Sequence, residues 1–193
     1  NLARHVTLIH RRDSLKAGIP FYNSFNTMPS GSHTDFFNDP ATSEIYTSLA
    51  YGAKGVMYFC YFTPAGGEFP KGGAIIRRVG RRTRHYDEAR RINAAIKNLG
   101  PTLMQLTNTG VYRVAPKDDS ANVLKGSPIR SIAEGDCLVG AFRHADGRRA
   151  VLLVNYAFAY SGWPTVAFDA APERVAEVSP HTGKEAPVLD DSP

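Results

Sequence analysis

The chain has 193 residues, 42% of them hydrophobic and 10% aromatic, with a formal net charge of +5. That composition is enough for a real hydrophobic core and excludes a disordered chain, and no apolar run reaches the 18 or so residues of a membrane span. The charge is concentrated in Arg77, Arg78, Arg81, Arg82, Arg84, Arg90 and Arg91; with only Tyr86 interrupting, the run lacks the aromatic interleaving of a nucleic-acid site and reads as a solvated loop and helix face.

Leu2, Val6 and Ile9 stand at helical spacing ahead of basic residues and Gly18, which predicts a helix over 1–17. Pro20 opens a short strand-like run over 19–25, IPFYNSF. Residues 26–39, NTMPSGSHTDFFND, are rich in turn formers and read as a long loop after that strand, with Asp39 or Thr42 as the cap of the next helix. In TSEIYTSLAYGAKGVMYFCYF, residues 42–62, Ile45 and Leu49 share one helical face and Gly52 ends the helix. Residues 55–62 then form a near-continuous apolar run, the pattern of a parallel strand covered on both faces. A second long loop follows, with repeated glycines and no phosphate-binding signature. Thr83 caps a predicted helix over 86–99, whose stripe of Ala89, Ile92, Ala95, Ile96 and Leu99 is closed by Gly100-Pro101; Pro101 opens a further turn through Leu106.

From Val111 onward the hydrophobic period becomes two. VYRVA, CLVGAFR, AVLLVNYAF, TVAFD and RVAEVS are short β-rich runs separated by turn signals, the spacing of a β-sandwich. Asp146-Gly147 marks a tight hairpin between two of them. The fold class expected is thus α/β plus β, with a boundary near 108–110 between parts at 1–107 and 111–193.

The residues PATSE, SLAYGAKGVMYFCYF and TRHYDEARRINAAIKNLGPTLMQL, in that order, resemble the end of the catalytic domain of TIM-barrel glycoside hydrolases, especially the beta-galactosidase-like groups around family 42. The resemblance covers most of the chain and rests on structural motifs. It makes 19–25 similar to barrel strand seven, 55–62 similar to strand eight, and 86–99 similar to the last barrel helix. It implies a partial (β/α) barrel, the last two strands and helices, followed by a β-sandwich-like domain. A full barrel takes about 250 residues, so the chain is expected to be a fragment, or to complete its sheet as a homo-oligomer or with the remainder of a longer chain. The implied activity is hydrolysis of β-glycosidic bonds in an oligo- or polysaccharide, with no cofactor and no membrane partner, in a secreted or periplasmic bacterial setting.

Such hydrolysis needs two carboxyl groups across the scissile bond. The family places its acid/base after strand four, which has no counterpart here, and its nucleophile after strand seven. There this sequence has Asn23, Ser24, Phe25 and Asn26 in place of the expected glutamate. The carboxylates left on the correct side are Asp35 and Glu68, the catalytic candidates; Asp39 reads as a cap. Asn23, Asn26, His33, Tyr61 and Trp163 are the substrate-binding candidates, since aromatic faces stack on sugar rings and polar neighbours take hydroxyls. Trp163, between Gly162 and Pro164, is either an exposed carbohydrate platform or a buried anchor between domains. The alternative to an enzyme is a carbohydrate-binding or assembly module without the catalytic glutamates. Six scattered histidines and the lone thiols of Cys60 and Cys137 offer no metal or disulfide pattern.

Overall fold

A computed structural model describes residues 2–28, 41–67, 73–157, 162–169 and 175–188. The first part runs α1 (Leu2–Ala17), β1 (Tyr22–Asn26), α2 (Ala41–Ala50), β2 (Gly55–Phe59) and α3 (Arg84–Met104). The second runs β3 (Leu106–Val114), α4 (Ser120–Val123), β4 (Ile129–Ala133), β5 (Cys137–His144), β6 (Arg149–Asn155), β7 (Thr165–Phe168), β8 (Ala176–Val178) and β9 (Glu185–Pro187). The fold is mixed α/β, and no barrel closes among the described residues.

β1 and β2 pair in parallel, from Tyr22 opposite Gly55 to Asn26 opposite Phe59. Because side chains alternate along a strand, Phe25, Val56 and Tyr58 share one face. They pack with Ile45 of α2 and with Ile92 and Ile96 of α3, and each side chain buried there contributes about 1.5–3 kcal/mol. The opposite face carries Tyr22, Ser24, Asn26, Met57 and Phe59. It is open: Tyr22, Met57 and Phe59 are each about half exposed. The run 55–62 is therefore not covered on both faces, as its composition led one to expect, and the strand itself ends at Phe59. Helices occupy one side of this sheet and nothing described occupies the other.

The antiparallel part consists of three small sheets, β3-β5-β6, β4-β7 and β8-β9. Val114, Cys137 and Val139 of the first sheet meet Ile129 and Ile132 of the second, with Leu124 beside α4 closing the cluster. The hairpin between β5 and β6 is the one marked by Asp146-Gly147, where Gly147 takes φ +94° and its N–H donates to the His144 carbonyl at 2.9 Å. β4 and β9 went unpredicted. α3 runs on through Pro101 to Met104 rather than stopping at Gly100.

α2 belongs to both parts. Ile45 faces the parallel pair, whereas Ala50 and Tyr51 pack with Leu138 of β5 and Val154 of β6. Gly140 of β5 allows this approach, since a Cβ there would lie 2.4 Å from the Ala50 carbonyl oxygen. Asn108 completes the junction. Its Nδ2 donates to the Ala50 carbonyl at 2.8 Å, and its Oδ1 accepts from Arg11 Nε at 2.6 Å. The expected boundary at 108–110 falls inside the continuous strand β3, where the register shifts.

Candidate functional site

Parallel pairing sends the segments after β1 and β2 out from the same end of the sheet. There Thr27, fully buried, closes the strand ends: its N–H donates to the Phe59 carbonyl at 2.6 Å, and its hydroxyl reaches the Cys60 carbonyl at 2.9 Å. Met28 is buried next to Ala74, with Cys60 packed against the pair. The chain beyond β2 returns beside itself, as Ile76 N–H donates to the Tyr61 carbonyl at 2.8 Å and Thr63 N–H to the Ile76 carbonyl at 2.9 Å. Arg78 ties down the start of the segment that follows, at Pro64 and Gly66. Its guanidinium donates to the carbonyls of Pro64 and Gly66, both at 2.8 Å, a function that the sequence hid inside an arginine run.

The proposed site residues other than Trp163 separate into three groups. Asn26 and Tyr61 stand at the strand ends: Asn26 is on the open face in register with Phe59, and Tyr61 is 60% exposed. The Asn26 carboxamide oxygen accepts from Met28 N–H at 3.0 Å, which fixes its orientation. Asn23 points the other way. Its Nδ2 donates to Ser48 Oγ at 2.7 Å and Thr7 Oγ1 at 3.2 Å, so it ties β1 to α1 and α2 within the helical layer instead of lining the open face. The physical reason is alternation: Asn23 shares its face with Phe25. His33, Asp35 and Glu68 lie outside the described residues, as does Asp39.

Tyr58 is on the helix-facing side, where its hydroxyl donates to Asn93 Oδ1 at 2.9 Å. Burial, and secondarily the nearby Tyr46, pushes its ionisation up to about 12. Cys60 and Cys137 are free thiols pushed up chiefly by burial, hence poor nucleophiles. Among the described residues no group of three or more His, Cys, Asp or Glu could hold a metal ion, and no helix is long and apolar enough to cross a membrane.

Trp163 is 89% exposed, which removes the buried-anchor reading. Its neighbours Gly162 and Pro164 line an open cavity of about 450 Å³ in the antiparallel part, together with Glu134, Asp136 and Asn155. Glu134 has φ +58°, the one non-glycine residue in the left-handed region among the described residues. Asp136 is fixed by an ion pair with Arg113, whose guanidinium stacks over the Tyr156 ring at 4.4 Å. Sequence reading missed these acidic residues; Glu134-Gly135-Asp136 between two apolar runs was the only signal, and it reads equally well as a plain turn.

No protein-family model matches the chain, and neither a search of curated proteins nor one of solved structures finds a match.

Proposed function

We propose that this protein is carbohydrate-active, of the glycoside hydrolase type, and that β1, β2 and their helices act as the closing units of a (β/α) barrel similar to the beta-galactosidase-like enzymes, with the antiparallel sheets as a trailing sandwich-like domain. The observation that carries the reading is the open face of the parallel pair. It presents Asn26 and Phe59 at the strand C-terminal ends, with the exposed Tyr61 just beyond β2, where barrels keep their chemistry, and it leaves apolar side chains and strand edges for further βα units to cover. In the complete site, one carboxylic acid protonates the leaving oxygen as positive charge develops on the sugar, and a carboxylate stabilises or attacks that centre. Asp35 and Glu68, in the segments leaving β1 and β2, are the candidates this chain can offer. Asn26 and Tyr61 would orient the sugar.

One observation favours the second reading, a sugar-binding or assembly module without catalysis. β1, YNSFN, bears no carboxylate, so the expected strand-seven nucleophile is missing.

Hydrolysis of a panel of aryl β-glycosides, with the mass in solution measured on the same sample, separates the two. Turnover that follows an assembled species, and that falls at least a hundredfold in Asp35→Asn or Glu68→Gln, supports the hydrolase. Turnover retained in both variants removes these residues from the site. A folded, assembled protein without turnover leaves the module.

A further inference from the structure

We propose that Arg77 and Arg81 form an anion clamp beside the strand-end site, and that the polysaccharide taken there is an acidic one, bearing carboxylate or sulfate groups. The proposal rests on the carbohydrate reading and narrows its substrate class. Three observations converge on it.

The first is the backbone of the arginine run, which as sequence reads as a solvated face. Ile76 bridges Arg82 in antiparallel register, Arg77 N–H donates to the Arg81 carbonyl at 2.8 Å, and Gly80, at φ +76°, donates its N–H to the Arg77 carbonyl at 2.9 Å. That is a tight hairpin with glycine in the left-handed position. It sets Arg77 opposite Arg81, a placement in which the side chains share one face with their Cβ atoms about 5 Å apart and like charges repel. Both side chains are exposed, and neither is in an ion pair among the described residues. A carboxylate or sulfate held between the two guanidinium groups would turn that repulsion into a pair of charge-assisted hydrogen bonds. The second observation is position. Ile76 donates its N–H to the Tyr61 carbonyl at 2.8 Å and stands in parallel register with Phe62, so the hairpin starts beside the segment that leaves β2. It is held there by Arg78 on the Pro64 and Gly66 carbonyls and by the Thr83 hydroxyl on the Ala74 carbonyl at 2.7 Å. A clamp on an ordered backbone binds at lower ordering cost than one on a mobile loop.

The third is the charge distribution. From Gly73 to Tyr86 the sequence has five arginines and no carboxylate, and those five equal the whole formal net charge of +5; the rest of the chain is balanced. The positive field is therefore local, and it attracts and orients a polyanion. A polysaccharide fits it better than a nucleic acid, whose bases need open aromatic faces: the Tyr86 ring beside the hairpin has the Arg82 guanidinium stacked over it at 4.1 Å.

The test is calorimetric titration of the intact chain with oligogalacturonate, a sulfated galacto-oligosaccharide and a neutral galacto-oligosaccharide of matched length. At least one acidic oligosaccharide is expected to bind, at least tenfold more tightly than the neutral one, with an affinity that falls as salt rises. The double variant Arg77→Gln with Arg81→Gln should weaken that binding at least tenfold and flatten its salt dependence. Its unliganded melting temperature should equal or exceed that of wild type, because a repulsive pair has been removed. Arg130→Gln with Arg149→Gln takes the same charge from the antiparallel part and should leave the affinity within twofold. The proposal is overturned if neither acidic oligosaccharide binds, if the Arg77 and Arg81 variant keeps wild-type affinity, or if the Arg130 and Arg149 variant loses as much. It is equally overturned if a single-stranded DNA oligonucleotide or phosphatidylserine vesicles bind more tightly than the acidic sugars. Cleavage of aryl β-glycosides without binding of acidic oligosaccharides would sink this proposal alone; binding of acidic oligosaccharides without any turnover would sink the hydrolase reading alone.

Discussion

Replacing Gly140 with alanine puts one methyl group where α2 crosses β5. The added carbon would sit 2.4 Å from the Ala50 carbonyl oxygen, 2.8 Å from its Cα and 2.9 Å from its carbonyl carbon. All three are backbone atoms, so no side chain can swing aside; the helix must retreat by about 1 Å to restore ordinary van der Waals separation. Retreat also stretches the 2.8 Å hydrogen bond from Asn108 to the same carbonyl. Overpacking of this kind costs roughly 1–3 kcal/mol, and the coupled hydrogen bond places Gly140→Ala at the upper end. For a chain of this size, about 3 kcal/mol lowers Tm by about 6–12 °C. Thermal and urea melts followed by far-ultraviolet circular dichroism read this directly. Gly162→Ala is the control: nothing lies within 4 Å of its Cβ position, and its effect should stay within about 0.5 kcal/mol. A Gly140→Ala protein that melts within 1 °C of wild type, or with the same loss as Gly162→Ala, would refute the close crossing.

Asn108→Ala removes the donor to the buried Ala50 carbonyl and the acceptor for Arg11, and should cost about 2–4 kcal/mol; a shift of the urea midpoint with unchanged slope measures it. Asp146 is held well below the usual carboxylate range, to about 2, first by the Arg148 backbone N–H, partly opposed by desolvation, and then by the side chains of Arg148 and His144. Its folded value is depressed, so its contribution is fully present above the unfolded value near 3.8 and is lost as pH falls through about 2. The stability difference between wild type and Asp146→Asn should therefore be constant at neutral pH, shrink as pH falls from about 4 and disappear only below pH 2; a difference undiminished at pH 2 counts against the assignment.

Local elements were legible where one short-range force dominates. Gly18 and Gly147 announced their turns because only a left-handed conformation fits there, and Thr83 announced the start of α3 because its hydroxyl takes the His85 N–H in the first turn, which has no carbonyl one turn back. The extent of α3 was misjudged at Pro101. A proline so close to the C-terminal end disturbs only the last turns, and Gln105 Nε2 takes the Pro101 carbonyl at 3.2 Å. The exposure of β2 could not be read from composition, because an apolar run records what a strand can bury, not what is present to cover it. Asn23 and Asn26 show the same limit at the level of the site. Three residues apart, they are alike in type but on opposite faces, and only the starting phase of the strand decides which one meets the open side. Glu134, Asp136 and Asn155 were invisible because they come from separate strand ends, joined by the pairing of β5 with β6.

The double allegiance of α2 bears on how this chain can be taken apart. A helix whose Ile45 anchors one cluster while its Ala50, with Tyr51 just beyond its end, anchors another belongs to neither part alone. Cutting at the change from helices to antiparallel strands would strip the β5-β6 surface of its covering helix and leave Leu138 and Val154 facing water. The smallest portable piece of the antiparallel half is consequently a non-contiguous one, in which ten residues from far upstream travel with the sheets. Heat should melt the two parts in a single transition, and shuffling by linear recombination would separate what packing has joined.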